Sequence, residues 1–168
     1  TAFLEYGDGL IVPGNRNLHQ DEKDERAEAI YWPYHNAVDQ QIKRLATIVP
    51  KPAFVSIHSF TPVMNGESRA WQMGVLWDKD EQMREIFLDE LTAAGYYVGD
   101  NMPYSGKAPM DFTIDHHAEA AGLPHVGIEI RQDLIDDEAG VTEIAAVLHG
   151  IIESIPERIG LGRQRETA

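Results

Sequence analysis

Two stretches of this sequence carry side chains able to do chemistry where a strand ends. Phe54-Val55-Ser56-Ile57-His58-Ser59-Phe60-Thr61-Pro62 opens with the apolar Phe54, Val55 and Ile57 of a buried strand and closes in polar groups before a proline. Ligands of open α/β sheets collect outside the carboxyl ends of strands, so His58 is a candidate to face a cleft. A histidine tethered to backbone at a strand end is the plainer alternative. In His125-Val126-Gly127-Ile128-Glu129-Ile130-Arg131-Gln132-Asp133 the apolar Val126, Ile128 and Ile130 share one face. Gly127, Glu129 and Arg131 share the other, because side chains alternate along a strand. A carboxylate and a guanidinium on one face of an apolar strand are costly unless paired or used. They form either a structural ion pair or a general base beside an anion clamp.

The elements that must position these groups follow from pattern. Thr1 to Asn17 holds Gly7, Gly9, Pro13 and Gly14 and reads as turn-rich, with Arg16 just past the Pro-Gly turn. From Asp21 to about Val49, apolar residues Ala27, Ile30, Tyr31, Tyr34, Val38, Ile42 and Leu45 recur at helical spacing. Pro33 should kink or divide that helix. Val63 to Ala70 reads as a loop over the cleft, and its Arg69 suits bidentate pairing with a carboxylate. Trp71 to Trp77 is a strand. Asp78 with Glu81 three residues on resembles a capping box opening a helix whose stripe is Met83, Ile86, Phe87, Leu91 and Ala94. A short strand at Tyr96 to Val98 leads into Gly99-Asp100-Asn101-Met102-Pro103-Tyr104. There Asn101 and Tyr104 are candidates to hydrogen-bond a substrate, although Asp and Asn also stabilise turns through nearby backbone. A short helix is expected from about Thr113, as cap, to Ala121, with Gly122 as its stop. His116 and His117 are adjacent and diverge by about 100° on a helix, so they do not easily share a metal. The last helix runs from Asp136 to Ile155, with Val141, Ile144, Ala145, Leu148, Ile151, Ile152 and Ile155 as its stripe.

Strands alternating with helices predict an α/β fold with a mixed or mostly parallel sheet and helices on its faces. A length of 168 residues suits a single domain, 1–168. The net charge of −14 argues against nucleic acid and against anionic membrane surfaces. It serves solubility before any partner. No stretch approaches the roughly 20 apolar residues of a membrane span. The sequence has no cysteine, so disulfides and thiolate metal sites are excluded and a cytoplasmic location is expected.

Taken together, Ser56-Ile57-His58-Ser59-Phe60 and the distant Ile128-Glu129-Ile130-Arg131 resemble the pattern of zinc carboxypeptidase-like hydrolases. Longer strings resemble the N-formylglutamate amidohydrolase family: Ile57-His58-Ser59-Phe60-Thr61-Pro62, Gly99-Asp100-Asn101-x-Pro103-Tyr104 and Gly122-Leu123-Pro124-His125-Val126-x-Ile128-Glu129-Ile130-Arg131-Gln132-Asp133. Pro13-Gly14-Asn15 and Tyr34-His35 also fit, so the likeness runs from about Val12 to Ile155. The resemblance implies a three-layer α/β/α, phosphorylase/hydrolase-like fold. It implies zinc-dependent hydrolysis of an anionic N-acyl amino acid such as N-formylglutamate, giving formate and the free amino acid. His58 would be a metal ligand, Glu129 the general base, and Arg131 either a charge stabiliser or a brace for Glu129. Arg69, Asn101, Tyr104, His117 and Arg16 would contact substrate. The family begins its metal site with an earlier Asp-His pair. No such segment is found here, which implies a chain lacking an N-terminal part of the family pattern and a zinc site incomplete within it. The competing expectation is a metal-free, non-catalytic amino-acid-binding domain on the same fold. A purely structural acidic domain leaves the polar groups gathered at several strand ends without a purpose.

Overall fold

The computed structural model describes residues 3–7, 9–107 and 112–161. Four strands form its main sheet: β1 (Phe54–Phe60), β2 (Met73–Leu76), β3 (Val98–Asp100) and β4 (His125–Arg131). They lie in the order β1-β4-β2-β3. β1 pairs parallel with β4, β4 antiparallel with β2, and β2 parallel with β3, so the expected mixed sheet is present.

One face of this sheet is apolar because strand alternation puts Val126, Ile128 and Ile130 of β4 beside Met73 and Val75 of β2. Two helices cover it, α2 (Glu81–Ala93) and α3 (Glu138–Arg158). Met83, Ile86, Phe87 and Leu91 of α2 join Ile144, Leu148, Ile151 and Ile155 of α3 in one buried cluster with these strands. The stripe of α3 is narrower than the sequence suggests, since Val141 is 49% exposed and Ile152 36%. The cap of α2 is Asp80 rather than Asp78: one Asp80 carboxylate oxygen accepts from Met83 N at 2.9 Å, the other from His125 N at 2.9 Å. That carboxylate therefore joins the start of α2 to the start of β4. Gly95 ends the helix at φ +94°, a conformation that glycine adopts without strain.

The opposite face carries Ser56, His58, Gly127, Glu129, Gly74 and Leu76. A helical segment, Phe112–Ile114 continued by the π-turn Asp115–Glu119, packs on β1 and β4 there. The long helix α1 spans residues 20–46 as Gln20–Arg26, a π-turn Ala27–Tyr31, and Trp32–Ala46. The π-turn ends two residues before Pro33, whose missing N–H and bulky ring disturb the ladder in the preceding turn. Trp32 N–H reaches back to Ala27 O, and the helix runs on undivided.

Two short hairpins complete the fold. Tyr6–Gly7 pairs with Leu10–Ile11, and Val63–Met64 with Glu67–Ser68. The second replaces the expected loop. Asn65 and Gly66 take φ +53° and +79°, which suits the type I′ turn that closes two-residue hairpins.

Candidate active site

β1 and β4 run parallel and in register, with His58 opposite Glu129 and Phe60 opposite Arg131. Adjacent strands lie about 4.8 Å apart, so the register sets the His58 and Glu129 side chains next to each other on one face. Glu129 is buried, at 7% exposure. His58 is exposed, and its Nε2 lies 2.8 Å from Ser56 Oγ, two residues back on the same face. The expected burial of β1 is corrected here. Only Phe60 is buried, and Ile57 is 51% exposed, because β1 is an edge strand of the sheet among the described residues.

Glu129 is roofed by the loop after β3. In register Gly74 stands beside Glu129, and a Cβ built on Gly74 would meet Met102 O at 2.3 Å. The missing side chain is what lets the 101–106 loop fold back across the sheet next to the carboxylate. Asn101 fixes that loop. Its Oδ1 accepts from Trp77 N at 3.0 Å and Gly106 N at 2.9 Å, and its Nδ2 donates to Trp77 O at 3.0 Å. The side chain expected to contact substrate thus has its amide engaged by the loop. Asp100 likewise accepts from Arg84 and from Trp77 Nε1, and the Arg84 hydrogen bond holds its carboxyl below the usual range.

Arg69 and Tyr104, two of the expected substrate contacts, lie together. Arg69 Nη1 donates to Tyr104 Oη at 2.8 Å. The guanidinium carbon lies 4.9 Å from the Tyr104 ring centre and 5.7 Å from that of Phe60, within cation–π range. Met64 Sδ accepts its other nitrogen. Among the described residues no carboxylate pairs with Arg69, although the chain carries 28 Asp and Glu against 14 Lys and Arg.

Arg131 holds this corner in place. Its Nη1 reaches the carbonyl oxygens of Arg69, Ala70 and Trp71 at 3.1–3.3 Å, and its Nε and Nη2 grip Asp133 at 2.7 and 3.0 Å. Those hydrogen bonds hold the Asp133 carboxyl below its ordinary range. The guanidinium shares a strand face with Glu129 but reaches for the loop that carries Arg69.

Two expected contacts lie elsewhere. His117 is buried, and its Nε2 lies 2.9 Å from His35 Nδ1 on α1. Arg16 is exposed in the N-terminal loop. That loop is organised instead by Arg26, which donates to Asn15 Oδ1 at 2.7 Å and Gly14 O at 2.6 Å. Sequence reasoning passed over Arg26 because it sits within an ordinary charged helix start.

The zinc that the resemblance implies calls for three protein ligands. Among the described residues no three His, Asp or Glu side chains converge on one point, so His58 with Glu129 does not fit a complete zinc site. No helix among them is long and apolar enough to cross a membrane. An apolar groove of about 340 Å³ runs between α1 and the start of β1, lined by Tyr34, Val38, Ile42, Leu45 and Phe54. It lies away from the carboxyl end of β1 and carries none of the groups above.

Comparison with known proteins identifies the family and the fold. The chain matches the family described as N-formylglutamate amidohydrolase over residues 2–136. It is similar to the crystal structure of gene product Atu2144 from Agrobacterium tumefaciens, with a TM-score of 0.85 and 34% identity, over 94% of this chain and 62% of that one. It shares the fold of N-formylglutamate amidohydrolase from Ralstonia eutropha JMP134, with a TM-score of 0.67 and 20% identity, over 89% of this chain and 59% of that one. The chain therefore spans about three fifths of the length of these two structures. None of the curated proteins matches it. A match over most of its length, on the residues that build the Glu129 corner, places the chain in the N-formylglutamate amidohydrolase family.

Proposed function

We propose that this chain carries the base and the substrate-carboxylate anchor of an amidohydrolase that cleaves an N-acyl amino acid, with N-formylglutamate as the leading substrate. The observation that supports this reading most directly is the register of β1 and β4, which sets a buried glutamate beside a histidine at the rim of an open sheet. A carboxylate is the natural group to take a proton from water there. The water oxygen attacks the formyl carbon, the C–N bond breaks, and Glu129 returns the proton to the leaving nitrogen. The products are formate and the free amino acid.

Arg69 is the carboxylate anchor in this reading. It is held by aromatic rings and by Tyr104, with no acidic partner among the described residues. A fork-shaped donor prepared in this way receives a carboxylate bidentately. It also answers a difficulty of charge. At −14 the chain repels an anionic substrate at long range, so attraction must be local. Arg131 positions Arg69 through the 69–71 carbonyls. His58 is a candidate ligand for a metal whose other ligands the described residues do not supply.

Formate release from N-formyl-L-glutamate by the natural-length protein tests the reading. Arg69→Lys should raise KM about tenfold or more with little change in kcat, since a lysine cannot form the fork. An unchanged KM removes Arg69 as the anchor. Binding of the substrate in calorimetry without release of formate would favour the metal-free binding domain.

A further inference from the structure

A second buried pair of titratable groups lies apart from the Glu129 corner. His35 Nδ1 of α1 and His117 Nε2 of the 112–119 segment are 2.9 Å apart across 82 residues of chain. Their rings stack with centres 5.1 Å apart and planes 22° from parallel. Both are buried, at 5% and 6% exposure. Tyr31, Tyr34 and Phe112 crowd His35, with ring centres at 4.2, 5.0 and 4.9 Å.

Two ring nitrogens at this distance share one hydrogen, so one ring donates and the other accepts. The pair tolerates one added proton, taken up on a distal nitrogen. Two added protons leave N–H facing N–H and break the contact. Among the described residues the charged and titratable groups set against the pair are His116, Asp39 and the phenols of Tyr31 and Tyr34. His116 follows on the same segment, its ring 4.8 Å from that of His117 and stacked on Phe112. Asp39, from α1, acts on His117 and is itself bonded to Lys43. Burial lowers His35 from its ordinary value of 6.5, and His116 lowers it further. His117 is lowered by burial first, then by His116 and His35, with Asp39 opposing.

The segment held by this pair reaches the site face. Ile114 Cδ1 lies 3.3 Å from where a Cβ on Gly127 would stand, and Gly127 is paired with Ser56 two residues before Glu129. Ile114 is itself buried, and its segment packs on both strands of the His58–Glu129 pair.

We propose that His35 and His117 form one proton-sharing latch that positions the 112–119 segment over the Glu129 face, making both of them positioning residues for the hydrolysis. The catalytic consequence rests on the proposed function; the latch itself does not. Because the folded values lie below 6.5, the fold binds fewer protons than the unfolded chain as acid is added. The latch's contribution to stability is therefore complete above the unfolded value and is lost as pH falls through the lowered folded values. The two rings titrate as one coupled pair.

The test is NMR on the natural-length protein, following the imidazole nitrogens and the Ile114 δ1 methyl from about pH 8 to about pH 4.5. The latch predicts one donor and one acceptor ring at neutral pH, and an Ile114 signal that moves with the coupled titration. His117→Gln keeps a hydrogen-bonding side chain but cannot titrate. It should replace the coupled pH response of the Ile114 signal by the single titration of His35. His117→Ala should shift the Ile114 signal at every pH and lower kcat about tenfold at unchanged KM. An Ile114 methyl indifferent to the ring titration, or unmoved in His117→Ala, overturns the latch. A raised KM at unchanged kcat marks His117 as a substrate contact and overturns the positioning role. An NMR response in a protein that releases no formate supports the latch and counts against the hydrolase reading alone.

Discussion

The two sides of β4 differ although its two neighbours look alike in sequence. One row across the sheet runs Ile57–Ile128–Val75. Ile128 and Val75 are fully buried beneath α2 and α3, whereas Ile57 is 51% exposed. On the β2 side the sheet is a packed core. On the β1 side it is open, and His58 and Ser59 stand exposed at its rim. The packed half of the domain holds Glu129 by its strand and its roof, and the open half presents His58 next to it. In the proposed function this arrangement combines a held carboxylate with access for a substrate.

The largest effect that distinguishes the two sides is cavity formation. Ile128→Ala should destabilise by about 2–5 kcal/mol, because a packed site collapses only in part. Ile57→Ala should lose about 1 kcal/mol or less, since half of its surface is already in water. Urea unfolding of both variants measures the difference, and equal losses would mean that β1 is covered after all. Next comes the roof over Glu129. Gly74→Ala must move Met102 O, which stands 2.3 Å from the new Cβ, and should cost about 1–3 kcal/mol while displacing the 101–106 loop. Stability and activity should fall together in that variant; an unchanged protein would show that the loop is free to lift.

The smallest effect is electrostatic. Arg84 holds the Asp100 carboxyl below its ordinary 3.8. That contribution is present above the unfolded value and is lost as pH falls through the folded one. The Asp100 side chain is 41% exposed, so water screens the pair and Asp100→Asn should cost under about 1 kcal/mol at neutral pH. The variant should also show a shallower loss of stability in acid. A steeper loss would reverse the sign of the argument.

What was legible in the sequence follows the same division. The period-two pattern of β4 gave its apolar face and the placement of Glu129, because both sides of that strand are filled. The stripe of α2 was readable for the same reason. The exposure of Ile57 was not, since an apolar residue in a strand looks the same whether or not another layer covers it. The Asn65-Gly66 turn was a signal present and overlooked, for a two-residue I′ hairpin needs only that pair between short extended runs. Asp80 displaced Asp78 as the cap because it also serves His125 N, a contact made 45 residues away. The His35–His117 contact joins elements that no local pattern relates. Arg131 was placed on the correct face, but its partners are loop carbonyls, and backbone acceptors leave no trace in residue type.

The central claim is that Glu129, fixed by its register with His58 and by the roof over it, is the base. The direct measurement is kcat/KM for formate release from N-formyl-L-glutamate by the natural-length protein and by its Glu129→Gln variant, each with zinc and after chelation. The variant should lose about 10²–10⁴-fold, at unchanged metal content and with the fold intact. A variant that releases formate at close to the parent rate would contradict it, and the base would have to be sought elsewhere.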